Sequence, residues 1–524
     1  WSDEGAAVEN SRWSRLASDH EMYCMGHLIE ASVAHNQCLN SDDLLNVGLK
    51  VANHISSIFG PDKRLGFCGH QVIELALCRL SDCTSDPQWR ELAKWMTDRR
   101  GRRPSPFEPE VRDPNRLGKS KHYVDWSFEG DVYVARYLQD DKPLEEQVEP
   151  VGHSVRAVYF YTGAHEAFGD SMSPKMRNAL ETIWGRLIAG RTYITGGIGS
   201  SSENEGFTKD FDLPNASAYA ETCAGIGLIF WAWRMAEMTG DAVKIDVLER
   251  VLYNAVLSGF ALDGSGYFYE NPLESDGSQR RKSYYGCACC PPNVTRLILS
   301  LGGYVARQEG STLSICLPIA CRIKTDGFEV EISGDWVRDS AGTIKITKAP
   351  KGEAALRLRV PCWKGPATTV SDGFEGDLDC GWASWTREWK EGEEISFNFD
   401  PIARLVEARP EIASCRGRIE VERGVLVYCL EEADLGRPVD EFYLEGINQH
   451  LHDLDWLPHA PGLYAEGYVL AWHGKEGRWP FANEDRCVTA EYCAAPLIPY
   501  FAWANRTPGT MQVWMRRSTE IGAQ

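Results

Sequence analysis

The chain contains no apolar run approaching the roughly 18 to 20 residues that a membrane-spanning helix needs; its most apolar stretch, around Ile226 to Trp233, is far shorter. It also lacks any excess of positive charge. Lys and Arg number 55 against 75 Asp and Glu, a formal net charge of -20, which repels nucleic acid and anionic membrane surfaces and leaves small neutral substrates unaffected. No solenoid-type repeat and no low-complexity tract is present. Nor is there an even set of cysteines: 17 are scattered from Cys24 to Cys493. This argues against a fully paired disulfide framework and for reduced thiols in an intracellular, cytoplasmic setting. The first residue is Trp1, and no charged segment followed by an apolar one comes after it, so no signal peptide is readable.

What is there is a globular composition, 43% hydrophobic and 25% charged over 524 residues, enough for about two to four domains. The 18 Trp and 20 Tyr are first of all core material, but flat amphipathic rings also stack on sugar faces. Helical periodicity dominates the first part. Over Ser41 to Gly60, residues Leu44, Leu45, Gly48, Val51, Ala52, Ile55 and Phe59 form one stripe, with Ser41 as N-cap and Gly60-Pro61 as the stop. Asp86-Pro87 and Ser173-Pro174 start two more helices, and others are predicted over about 219–239, 241–259 and 293–308. After about Gly310 the period becomes alternating, as in Phe328-Glu-Val-Glu-Ile and Leu356-Arg-Leu-Arg-Val, which predicts short strands of a β-sandwich. The expected organisation is a helical domain over 1–309, a β-sandwich over 310–412 and a mostly β domain over 413–524. Two long polar stretches, about 102–149 and 193–215, interrupt the helical part; loops of that length usually carry function.

The sharpest chemical signal is Gly286-Cys-Ala-Cys-Cys-Pro-Pro-Asn293, three cysteines within four positions. A soft metal is the natural reason for such crowding, and zinc prefers four tetrahedral ligands drawn from thiolate, imidazole and carboxylate. Tyr219-Ala-Glu-Thr-Cys223 offers two companions, because Glu221 and Cys223 are one residue apart and can reach one ion from an extended or helix-entry backbone. The alternative is that these cysteines are small buried hydrophobes.

Together with Ile194-Thr-Gly-Gly-Ile-Gly-Ser200, Asn204-Glu-Gly-Phe207 and Asp212-Leu-Pro-Asn215, these stretches resemble glycoside hydrolase family 127. The resemblance runs from about Asp19 to Glu431 and includes the segments around His27, His70 and His153 and the run Arg423-Gly-Val-Leu-Val-Tyr-Cys-Leu-Glu431. It implies a multidomain α + β protein, an (α/α)6 barrel followed by β-sandwich domains, that releases terminal β-L-arabinofuranosyl residues with retention. It further implies Cys289 as nucleophile, Glu205 as general acid/base, and zinc (Zn2+) held by Glu221, Cys223, Cys289 and Cys290. His27, His70 and His153 would contact sugar hydroxyls, since neutral imidazole both donates and accepts; Tyr269 is a further candidate for that role, near the nucleophile. The partner is then a small carbohydrate or glycoconjugate, with no nucleic acid or membrane and no oligomeric state readable.

The chemistry is coherent from below. Retaining hydrolysis needs a nucleophile at the anomeric carbon and an acid at the leaving oxygen, and a thiol serves if a metal keeps it ionised. On chemistry alone either Glu203 or Glu205 fits the acid. Glu205 precedes Phe207, which is expected to raise its pKa by excluding water. The chain departs from the family in two respects: the helices readable before Gly310 are too few for six hairpins, so one or more N-terminal helices are expected to be missing or supplied differently, and the segment Ser201 to Glu205 is more acidic. Two rival readings keep this sequence pattern, one with another furanoside or a natural-product glycoside as substrate, the other a noncatalytic carbohydrate-binding protein with a structural zinc.

Overall fold

Helix start and stop signals in the sequence govern the first part of the chain in a computed structural model, which describes residues 12–113, 125–472 and 488–518. Trp1, and residues 114–124 of the polar stretch expected over 102–149, lie outside the described residues. The chain divides into two units, one of residues 1–192 and 198–210, the other of residues 193–197 and 211–524.

The first unit carries α1 (Glu21–Leu39), α2 (Asp43–Ile58), α3 (Ile73–Thr84), α4 (Pro87–Arg99), α5 (Ser154–Phe168) and α6 (Pro174–Gly190). α2 buries Leu45, Gly48, Ala52 and Ile55, the stripe predicted from its periodicity, although Asp42 rather than Ser41 occupies the N-cap position. Gly48 is required by its neighbour: a Cβ there would stand 2.1 Å from Ser32 Oγ of α1. α4 and α6 begin where Asp-Pro and Ser-Pro place them. The Asp86 carboxylate accepts the Gln88 N–H, and Ser173 Oγ accepts the Met176 N–H, each satisfying an otherwise orphaned donor. Ile29, Leu77, Trp89, Met96 and Phe107 lie in this unit's core.

In the second unit, α7 (Thr222–Thr239) is buried over most of its surface, and α8 (Val243–Arg250) runs on into a π-helical turn, Val251–Val256, and a 3-10 turn, Leu257–Gly259. The widened turn has a tertiary cause. Asn254 Nδ2 donates to the Arg250 and Val425 carbonyls, both at 2.9 Å, and its Oδ1 accepts the Val427 N–H, which ties this helix to the strand Leu426–Glu431. α9 (Cys290–Ser300) begins three residues earlier than the predicted 293–308 helix and ends earlier. After Gly302–Val305, the residues Ala306–Glu309 form a strand that pairs with Thr312–Ile315. Gly302-Gly303 weakens the helix there, and strand pairing takes over.

The remaining chain is β. A five-stranded and a four-stranded sheet cover 306–398, and their inward residues, among them Val330, Ile332, Ile344, Leu356, Leu358 and Trp385, belong to one core. The predicted alternation holds at Phe328, Val330 and Ile332, all buried. It fails at Arg359, which is buried because its Nη2 lies 2.8 Å from Glu249 and its Nη1 on Asp246. A nine-stranded sheet then takes in strands from Ala403–Val406 to Met515–Arg517, together with Glu274–Ser275. Among the described residues fourteen cysteines are free and Cys362 is bonded to Cys380; the expectation of reduced thiols holds for all the described cysteines but this pair. Among the described residues, no helix is long and apolar enough to cross a membrane.

Candidate active site

Two helix starts in the second unit build a thiol-rich cluster. Before α7, Ala220 takes a positive φ of 37° and Glu221 occupies the extended N-cap position, so Glu221 and Cys223 flank the first turn. Asn271 braces this entry: its side-chain amide donates to the Ala220 carbonyl at 2.9 Å and to Thr222 Oγ1 at 3.0 Å. At the second start, Cys289 is the N-cap residue of α9 and Cys290 its first member, followed by Pro291-Pro292. Proline is accommodated there because the first-turn N–H groups have no partner inside the helix.

The ligand atoms of Glu221, Cys223, Cys289 and Cys290 all lie within 4.8 Å of one another. Cys290 Sγ stands 3.7 Å from both Cys223 Sγ and Cys289 Sγ, and Cys289 Sγ stands 3.6 Å from Glu221 Oε1. Tyr269 Oη is 3.5 Å from Cys289 Sγ, and Tyr219 donates its hydroxyl to Glu221 Oε2 at 2.9 Å. Glu221, Cys223 and Cys290 are buried, whereas Cys289 is half-buried. Among the chain's own groups the Cys289 thiol is pushed far above its ordinary value, first by hydrogen bonding with the Cys223 and Cys287 thiols and then by burial. These groups can hold a metal ion. Cys287, the first cysteine of the motif, is exposed and is not one of the four.

A second cluster is built in the first unit. Glu205 has a left-handed backbone, with φ of 50°, in a tight loop where Ser201 and Gly206 pair and Gly206 bridges to His153. Only glycine fits at 206, since a Cβ there would stand 1.8 Å from the Gly152 carbonyl oxygen. Ser154, the first residue of α5, holds the Glu205 carbonyl with both its N–H and its hydroxyl at 3.0 Å. Glu205 Oε2 accepts the Tyr137 hydroxyl at 2.6 Å and lies 3.3 Å from His153 Nε2. Glu203, the alternative carboxylate, is exposed.

Burial pushes the Glu205 carboxyl up, but the His153 hydrogen bond and charge, the Tyr137 hydroxyl and Arg156 outweigh it and hold the group at about 2. The expected upward shift beside Phe207 is therefore not found; specific donors outweigh the exclusion of water. Burial depresses His153 and pulls His70 well below its ordinary value, so both imidazoles are neutral near pH 7. The rings of His70 and His153 lie 5.6 Å apart, Tyr23 lies 4.4 Å from His70 and 4.5 Å from His27, and His27 Nδ1 is 3.8 Å from Glu30.

The structure thus gathers His70, His153 and Glu205 in one unit, with His27 joined to them through Tyr23, and Tyr269 with the four metal-binding candidates in the other. Sequence reasoning missed His20, whose ring lies 5.6 Å from His70. The spacing His20, Tyr23, His27 places all three on one helical face and was the readable signal. It also missed Tyr137, which sits in the 3-10 turn Arg136–Leu138 inside an irregular stretch and carries no motif. A cavity of about 430 Å³ shares Tyr137 and is lined also by Trp126, Asn204 and Phe207.

Comparison with known proteins agrees along the chain. Residues 3–303 match the description Beta-L-arabinofuranosidase, GH127 catalytic domain; 313–401 match the GH127 middle domain; and 403–516 match the glycoside hydrolase family 127 C-terminal domain. A non-reducing end beta-L-arabinofuranosidase of Bifidobacterium longum subsp. longum is 32% identical, over 98% of this chain and 81% of that protein. The crystal structure of a GH127 beta-L-arabinofuranosidase from Geobacillus stearothermophilus T6 superposes with a TM-score of 0.87 at 32% identity, covering 97% of this chain and 82% of that one. The GH127 beta-arabinofuranosidase BT3674 gives 0.83 at 33% identity, covering 96% and 77%. The chain belongs to glycoside hydrolase family 127 and is a glycoside hydrolase.

Proposed function

We propose that the chain is a retaining β-L-arabinofuranosidase in which Cys289 is the nucleophile, Glu205 the general acid/base, and Glu221, Cys223, Cys289 and Cys290 the ligands of a zinc ion. The observation that carries this reading is the asymmetry of the thiol cluster: three donors are buried, while Cys289 alone is half-buried. A half-buried donor is one that a substrate can approach, which a purely structural site does not require.

The donor set fits the metal. Ligands about 2.3 Å from a tetrahedral centre stand ~3.8 Å apart, and the two sulfur separations at Cys290 are 3.7 Å. Zinc bound there supplies the positive charge that keeps Cys289 as a thiolate. Four protein ligands ordinarily mark a closed structural site, but here one ligand is itself the reagent.

In the first step the Cys289 sulfur forms a bond to the anomeric carbon as the bond to the leaving oxygen breaks, and Glu205 gives that oxygen its proton. In the second, Glu205 takes a proton from water, whose oxygen displaces the sulfur. Two inversions give retention. The neutral His70 and His153, with His27, are suited to the sugar hydroxyls, and Tyr269 to the region of the nucleophile. In this reading the helical part, 1–309, forms an (α/α)6 barrel followed by β-sandwich domains over 310–412 and 413–524. The free thiols support a reducing, cytoplasmic compartment.

Metal analysis and turnover of aryl β-L-arabinofuranosides test the proposal together. One zinc per chain and release of L-arabinose are expected, with a loss of roughly a thousand-fold or more in Cys289→Ala. Unchanged turnover in that variant overturns the nucleophile. Zinc retained without cleavage of any furanoside favours a noncatalytic carbohydrate-binding protein, and cleavage of other furanosides alone moves the substrate class.

A further inference from the structure

We infer that Tyr137 is a positioning residue for the acid/base: its hydroxyl and the His153 imidazole both engage Oε2 of Glu205, so that Oε1 is the oxygen that gives and takes the catalytic proton. The inference rests on the role proposed above for Glu205.

The direction of each hydrogen bond follows from geometry. His153 caps α5 with Nδ1, which accepts the Val155 N–H at 3.1 Å and the Arg156 N–H at 3.5 Å. A nitrogen that accepts carries no proton, so in the neutral ring the proton is on Nε2, the atom 3.3 Å from Glu205 Oε2. The helix start also disfavours a second proton on this ring. Tyr137, acting on an ionised carboxylate, donates its hydroxyl at 2.6 Å. Oε2 therefore accepts the Tyr137 hydroxyl and has the protonated Nε2 of His153 at 3.3 Å, and among the described residues no hydrogen bond is made to Oε1.

Tyr137 is built to hold this position. It is buried, its ring stacks on Trp126 at 4.8 Å and 22°, the Arg156 guanidinium lies 5.0 Å from the ring centroid, and the His153 ring meets it edge-on at 5.4 Å. A phenol fixed on so many sides gives the carboxyl one orientation at little entropic cost. The charged and titratable groups around Glu205 are His153 and Arg156 from α5, Tyr137 from the 3-10 turn, and His20, whose own protonation Glu205 favours. Of these, Tyr137 reaches the carboxylate through its hydroxyl hydrogen bond.

The consequence has a definite sign. The first step needs Glu205 protonated, and with the free carboxyl held at about 2 that form is minor near neutral pH, so kcat/KM falls as pH rises through and above the pKa of this group. Removing the Tyr137 hydroxyl takes a donor from the ionised form, raises that pKa, and moves the falling limb to higher pH. For Tyr137→Phe the expected shift is about one pH unit, with kcat lowered because the carboxyl is less well held.

The control is Tyr133→Phe, which removes another buried hydroxyl of the same unit, one bonded to Asp140 at 2.9 Å; it is expected to cost stability and leave the limb in place. A carboxyl titration independent of turnover, the infrared difference between each protein and its Glu205→Gln counterpart, reads the same pKa directly. An upward shift in Tyr137→Phe by this measurement supports the inference even if no furanoside is cleaved, in which event the proposed function fails and the positioning stands. An unmoved pKa by either measurement, with only stability lowered, overturns it and leaves Tyr137 a packing residue.

Discussion

At the scale of single residues, Glu205 links ionisation to stability. Its carboxyl is held at about 2 against an ordinary value of 4.5. A group depressed on folding contributes stability that is present above the unfolded value and is lost as pH falls through the folded one. The difference in thermal stability between the wild type and Glu205→Gln is thus expected to be constant near pH 7 and to shrink from about pH 4.5 down to about pH 2. The side chain is 37% exposed, so solvent screening keeps the effect small. A difference that grows on acidification would show that the carboxyl is not held by donors. The four metal-binding candidates were legible because their sequence spacing is itself the chemistry. Glu205 over Glu203 was not legible from chemistry: the distinction lies in Tyr137 and His153, which come from distant segments. The direction of its pKa was misread for the same reason, since Phe207 is a neighbour in sequence whereas the donors are neighbours only in space.

At the scale of elements, local signals were readable wherever a cap or a turn is encoded by adjacent residues. Asp86-Pro87 and Ser173-Pro174 mark helix starts because the side chain and the bond it accepts lie within three residues. The start of α9 was missed because Cys290-Pro291-Pro292 opens the helix in place of a capping Asp or Ser, and the π turn was missed because its cause, Asn254 bonding Val425 and Val427, is a tertiary one. Two substitutions separate fold from function at this scale. Asp86→Ala removes a cap far in sequence from either cluster and is expected to cost about 1 kcal/mol in denaturant unfolding with kcat/KM unchanged. Gly206→Ala forces a Cβ into the Gly152 carbonyl and so displaces the loop that carries Glu205. The expected result is a drop in kcat/KM of the order of a hundred-fold with a smaller change in stability. Equal activity losses in the two variants would show that the loop does not set the position of Glu205.

At the scale of the whole molecule, the candidate residues are divided between units that each have their own core, and the proposed metal belongs to only one of them. Glu221 and Cys223 open α7, while Cys289 and Cys290 open α9, so an ion bound by all four would fasten two helix starts that the backbone alone joins through some sixty intervening residues. A ligand bound only by the folded state stabilises it in proportion to the logarithm of its concentration over its dissociation constant, and that gain is felt first where the ligands are attached. Treatment with a strong chelator is therefore expected to raise amide exchange over 219–226 and 286–300 while leaving 154–168, the helix His153 caps, at its original protection. Restoring zinc should restore both exchange and turnover. If chelation leaves exchange at 286–300 unchanged while activity is lost, the ion contributes charge but no fastening. If exchange and activity are both unchanged, the thiol cluster is a packed core of small apolar side chains, and the proposed source of the Cys289 thiolate falls with it.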